Sequence, residues 1–169
     1  FPYWRRHDDA EPFNTVQVAH AFVLAKAQGY DVPQDAYDRV MSAVSSIESF
    51  IPSYYGETQR DAVRAYAVWV LALAGQRDTG LAEALYDERG DALTIDAVAW
   101  IWGAIDDTSV RAEIERTIGN RAVDTAGAAH FVVDYGDGAS LIMQSDHRTD
   151  AIVLAALIDE APDSDLIPK

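Results

Sequence analysis

The sequence predicts an all-α fold, a partial α/α toroid of helical hairpins with one inserted β-hairpin. Three observations carry that prediction. Most of the 169 residues repeat their apolar side chains at helical spacing. Glycine, proline and threonine punctuate the chain where helices of ordinary length should end and begin. Alanine-dense helices alternate with more polar ones, which suits the inner and outer layers of a recurring helical hairpin.

The first helix is expected at about 15–28, with Asn14 as its cap and Gly29 as its stop. Val18, Ala21, Phe22, Leu24 and Ala25 supply its apolar spacing. After Tyr30-Asp31-Val32-Pro33, a second helix at about 34–50 should place Ala36, Tyr37, Val40, Met41, Val44, Ile47 and Phe50 on one side, with Pro52 ending it. So short a connection makes these two an antiparallel hairpin. Thr58 is expected to cap a third helix at 60–74, closed by Gly75. Thr79 begins a fourth, through Leu81, Leu85 and Tyr86 to near Gly90. Thr94 begins a fifth at 95–105, carrying Trp100 and Trp102. Thr108 caps a sixth at 109–118, stopped by Gly119. Ser145 or Asp146 caps the seventh, at about 147–160, before Pro162.

Residues 121–144 break the helical period. Phe131, Val132 and Val133, then Gly136-Asp137-Gly138, then Leu141 and Ile142 predict a β-hairpin turning about the two glycines.

The alanine-dense stretches 18–29, 64–75 and 148–157 resemble one another and are apolar nearly all round, so they are expected in the inner layer. Seven helices would make an arc, leaving apolar faces at both ends. The start, Phe1-Pro2-Tyr3-Trp4, has no initiator Met and no signal-peptide pattern. Residues 1–169 therefore read as one domain, a fragment of something longer.

The composition is that of a globular protein, 49% hydrophobic and 24% charged. Acidic residues outnumber basic ones 28 to 13, for a net charge of −15. That field repels nucleic-acid phosphates and anionic lipid, so neither nucleic acid nor direct membrane contact is expected. No apolar run approaches the roughly 20 residues that span a bilayer. The absence of cysteine removes disulfides, thiolate catalysis and cysteine-ligated metal centres from this chain.

Candidate sites are few. His7, His20, His130 and His147 are scattered, with no pair at ligand spacing, and read as structural or surface residues. Asp8-Asp9-Ala10-Glu11 and Asp106-Asp107 lack a full D-D-x-x-D metal motif and suit a loop and a helix terminus. Asp134-Tyr135-Gly136-Asp137-Gly138 lacks the bidentate glutamate of a calcium loop and reads as a turn. Trp69, Trp100 and Trp102, with Tyr54 and Tyr55, could line a carbohydrate cleft served by paired acids such as Asp61 and Asp96. Helically spaced tryptophans are more often core. No catalytic, cofactor or metal residue is assigned.

Several strings resemble segments of the bacterial alpha-2-macroglobulins. Ser145-Asp146-His147-Arg148-Thr149-Asp150-Ala151-Ile152-Val153-Leu154-Ala155-Ala156-Leu157 is similar to that family's S-D-x-R-T-x-A-x-V-L-x-A-L, and 162–168 to its P-D-x-x-L-I-P. Thr125-Ala126-Gly127-Ala128-Ala129-His130-Phe131 resembles T-A-x-x-A-H-W. Residues 19–24 with 29–33 resemble A-H-A-L-L-L…G-Y-x-V-P. The matches fall in order along the whole chain.

The region implied is the C-terminal part of the thioester domain, an α/α toroid in this family. Members are broad-spectrum endopeptidase inhibitors that entrap a protease after it cuts a bait region, some of them capturing it through a Cys–Gln thioester. The resemblance implies a structural module and not an enzyme. Its partners would be proteases, met through the full-length parent, and neighbouring domains of the same chain. The place implied is extracytoplasmic, in many members with a lipid anchor on the parent's distant N-terminus. Lacking cysteine, this chain cannot itself form the thioester. Either the motif lies upstream in the parent or the parent is a thioester-lacking member. A carbohydrate-active toroid enzyme and a helical-repeat binding module remain the alternatives.

Overall fold

The computed structural model describes residues 10–169. Seven α-helices follow in order: α1 (Pro12–Ala27), α2 (Gln34–Ser45), α3 (Glu57–Leu73), α4 (Thr79–Arg89), α5 (Ile95–Trp102), α6 (Thr108–Arg121) and α7 (Asp146–Glu160). Between α6 and α7 lies a small antiparallel hairpin, β1 (Val123–Thr125) and β2 (Ala128–His130), and then a 3-10 segment, Gly136–Ile142.

The odd-numbered helices form a row in which α1 packs on α3, α3 on α5 and α5 on α7. Of the others, α2 contacts both α1 and α3, α4 contacts α3 and α5, and α6 contacts α5. The alanine-dense stretches in α1, α3 and α7 thus lie in one row. At its centre is α5, whose eight residues are all buried. Helix α2, with a polar face and only Val40, Met41 and Val44 buried, lies beside that row.

Helices α4 and α5 begin at Thr79 and Ile95 as expected, whereas several other starts and caps differ. Pro12 takes the first position of α1, where its missing N–H costs nothing, so the helix starts three residues before the expected Thr15. Gly56, and not Thr58, precedes α3. Asp78 caps α4 by accepting from the Leu81 N–H, while Thr79 gives its hydroxyl to Asp106. Asp107 caps α6 through the N–H groups of Ser109 and Val110, displacing Thr108. Ser145 caps α7 as expected.

Three ends differ clearly from the expected ones. Helix α5 stops at Trp102, three residues short of the expected 105. Gly119 does not stop α6, which runs on to Arg121, where the guanidinium donates to the Leu93 and Asp91 carbonyls. The second helix ends at Ser45 and continues as a 3-10 turn, Ile47–Phe50, which leaves Phe50 exposed and not on the helix's apolar side. There the Ser45 and Ser46 hydroxyls bond back to carbonyls four residues earlier, which loosens the helix end.

The β-hairpin turns at Ala126-Gly127, both at positive φ (53° and 86°), and not at Gly136-Asp137-Gly138. Those dihedrals match the strand twist of a two-residue hairpin. Val123 pairs with His130 and Thr125 with Ala128. Phe131 and Ile142, expected as strand residues, instead face the core from irregular and 3-10 backbone. Gly138 has a packing reason: a Cβ there would collide with the Gln59 amide.

Because α5 is enclosed on every side, its deletions should be costly. Ile101→Ala, at a fully buried position, is expected to lose about 3 kcal/mol of unfolding free energy. Urea denaturation of the two proteins checks it, and a loss below about 1 kcal/mol would contradict the buried α5.

Candidate functional site

Two features converge where the odd-numbered helices meet, a buried polar clamp and an aromatic pocket. The clamp is built on Asp96, in the first turn of α5 and fully buried. Its Oδ1 accepts from the Tyr135 hydroxyl at 2.7 Å and from the Ala97 N–H at 3.1 Å. Its Oδ2 faces Arg148 Nη2 at 3.4 Å. Thr94, directly before α5, shares its hydroxyl with Tyr135 at 2.8 Å. Arg148 also donates to the Ile142 carbonyl, and Gln59 of α3 donates to the Tyr135 carbonyl at 2.7 Å. Burial, followed by the charge of Asp96, pushes the Tyr135 phenol far above its ordinary range, so it stays a donor. Asp96 thereby ties α5, α7 and the segment after the hairpin together.

Beside the clamp, four odd-numbered helices surround a pocket of about 310 Å³. Phe13, Gln17 and His20 come from α1, Tyr66 and Trp69 from α3, Trp100 from α5, and Arg148, Ala155 and Asp159 from α7. Tyr66 and Trp100 stack at 4.6 Å between centroids, and His20 stands edge-on to Trp69 at 4.8 Å. The Arg148 guanidinium lies 5.2 Å from the Phe13 ring centroid, joining the two ends of the row. His20 Nδ1 and the Tyr66 hydroxyl share a hydrogen bond of 2.8 Å. Burial lowers the His20 pKa below the ordinary imidazole value and pushes Tyr66 up to about 12.

Only part of the aromatic set is brought together. Trp69 and Trp100 line the pocket, whereas Trp102 is fully buried. Tyr54 and Tyr55 pair with each other and reach Glu11, and Tyr55 also donates to the Leu141 carbonyl. Neither Asp61 nor Asp96 is on the pocket wall. Asp61 is bound by Arg89 at 2.7 Å and approached by Arg64 at 3.8 Å. Its burial raises its pKa, against the pull of Arg89.

The other described sequence candidates lie away from this pocket. His7, Asp8 and Asp9 lie outside the described residues. His130 ends β2, and His147 is exposed in the first turn of α7. Asp106 is held low by hydrogen bonds from Arg77 and Thr79, and Asp107 by Ser109. Asp134 closes a turn by accepting from the Gly136 N–H at 2.7 Å. Among the described residues no three histidines or acids are grouped to hold a metal ion. Nor is any helix there long and apolar enough to cross a membrane.

Sequence reasoning did not single out Phe13, Gln17, Gln59, Tyr66 or Asp159, and took Tyr135 only as part of a turn. Phe13 and Tyr66 were hidden because aromatic residues at helical spacing look alike whether they face a core or a pocket. Arg148 had a signal, its place in the Ser145–Leu157 string.

No protein-family model matches the chain, and no curated protein sequence does. Solved structures do. The native conformation of E. coli alpha-2-macroglobulin, by cryo-EM, superposes with a TM-score of 0.72 at 22% identity, covering 94% of this chain and 10% of that one. The crystal structure of trypsin-activated alpha-2-macroglobulin from E. coli gives 0.71 at 23% identity, covering 99% and 11%. The fold is shared. The chain thus spans about a tenth of the length of each of these bacterial alpha-2-macroglobulin chains.

The lowered His20 pKa fixes the sign of an acid effect. The folded state resists protonation while the unfolded chain takes a proton near the ordinary value, so this contribution is present above that value and fades as pH falls through the folded pKa. NMR titration of the His20 ring is expected to give a midpoint below 6.5, and His20→Gln is expected to flatten the fall in stability between about pH 7 and pH 5. A midpoint above that of a free imidazole would contradict the desolvated pocket.

Proposed function

We propose that this chain is a helical module of an alpha-2-macroglobulin-type endopeptidase inhibitor, corresponding to the C-terminal part of the thioester-domain toroid. One observation carries the reading: nearly the whole chain superposes on a single tenth of E. coli alpha-2-macroglobulin. The strings that resemble the family support it physically. In Ser145–Leu157, Ser145 caps α7, Arg148 closes on Asp96, and Thr149, Val153 and Leu157 are buried. In 125–131, Ala126 and Gly127 make the hairpin turn.

On this reading the row of odd-numbered helices is the inner layer of an arc, with α2, α4 and α6 outside it. The module is structural and catalyses nothing. A longer parent, outside the cytoplasm and tethered by lipid at its distant N-terminus, meets the protease. This module contacts neighbouring domains and takes part in the rearrangement that follows bait cleavage. Having no cysteine, it contributes no thioester nucleophile, and trapping through it is conformational.

The test uses the native protein that contains this chain, incubated with trypsin. Entrapment encloses the protease without blocking its active site. Trypsin is therefore expected to keep most of its activity on a small chromogenic peptide and to lose most of it on an intact protein substrate. Unchanged activity on both, or loss on both, would overturn the proposal.

A further inference from the structure

The pocket among α1, α3, α5 and α7 is not used by the entrapment reading, and its chemistry selects a ligand. Its walls are aromatic faces and edges, with Trp69 only half-buried and so available from outside. The charges facing it come from α7 alone, Arg148 at one end and Asp159 at the other. They lie three turns apart, about 16 Å along the helix. At physiological salt that exceeds the screening length of about 8 Å, so each end has its own potential.

The Arg148 charge is already committed inside the fold, with only its buried Nε left unpartnered. Its guanidinium is held by Asp96 and the Ile142 carbonyl and covered by Phe13 and Trp100. The Asp159 end is open. Asp159 is exposed in the last turn of α7, where the carbonyl ends add negative potential, while Glu160 beside it is paired with Arg111 at 2.7 Å. The remaining titratable groups on the wall are His20 of α1 and Tyr66 of α3, which are neutral and bonded to each other; α5 contributes only Ala99 and Trp100.

We infer that this pocket binds the side chain of a lysine or arginine presented by a partner polypeptide. The aliphatic stem lies against the aromatic walls, and the cationic head meets Asp159 and the ring faces. An anion would meet Asp159 without a free cation. A sugar would find His20 and Tyr66 bonded to one another, leaving only Gln17 on the wall as an uncharged polar partner. The net charge of −15 draws basic segments toward the molecule. The inference stands on the pocket itself and does not rest on the protease-trap reading.

Calorimetric titration of the purified chain with Nα-acetyl-arginine amide tests it, with the neutral citrulline analogue alongside. Saturable binding is expected, about ten-fold weaker for citrulline, which loses the cation–π contact as well, and about three-fold weaker for Asp159→Asn. Asp163→Asn, at an exposed acid away from the pocket walls, should leave the affinity unchanged. Protonating His20 adds a like charge beside the head group, so affinity should also fall on acidification, and less so in His20→Gln. Absence of saturation, equal affinity for citrulline, or an equal loss in Asp163→Asn would overturn the inference.

Discussion

A carboxylate buried at the start of a fully enclosed helix is the constraint around which this molecule is arranged. Asp96 cannot be left alone in the interior, because an unpaired buried charge is far more costly than any single packing contact. Its oxygens are satisfied by three groups from different stretches of sequence: the N–H of Ala97, the hydroxyl of Tyr135 and the guanidinium of Arg148. Meeting that demand places the segment after the hairpin over α5 and fixes α7 beside it. Arg148, once so placed, also covers Phe13 at the start of α1. The ion pair and the Arg148–Phe13 contact together join the first and last helices of the row beside the pocket.

Helices were legible where local chemistry decides. The seven segments, their order and most of their apolar positions follow from spacing that a helix alone can use. Helix ends were less legible. Thr58 and Thr108 looked like caps, but Gly56 and Asp107 take that place. The hairpin was foreseen in the right region with the wrong turn. Gly136-Asp137-Gly138 is a stronger turn signal than Ala126-Gly127, yet Gly138 is required by the close approach of Gln59, a contact made across 79 residues of sequence. Such a demand is invisible locally.

The site was legible in fragments. Trp69 and Trp100 were recognised as aromatic candidates, and Asp61 and Asp96 as acids of interest, but their grouping into one cleft was not what the fold produces. Each acid is taken by arginine, Asp61 by Arg89 and Asp96 by Arg148. Pairings of this kind depend on which faces the packed helices bring together, and the sequence period does not specify them. The string Ser145–Leu157 was the better guide, since its serine, arginine, threonine and apolar positions each have a distinct structural task.

The account depends most on the coupling between Asp96 and Arg148, and a double-mutant cycle measures it directly. Unfolding free energies are needed for the native chain, Asp96→Ala, Arg148→Ala and the double variant. The account predicts that each single change is strongly destabilising, that the double variant loses much less than the sum, and that the coupling is about 2 kcal/mol. Additive losses would contradict it, because the two side chains would then be acting independently and something else would hold α7 and the post-hairpin segment on α5.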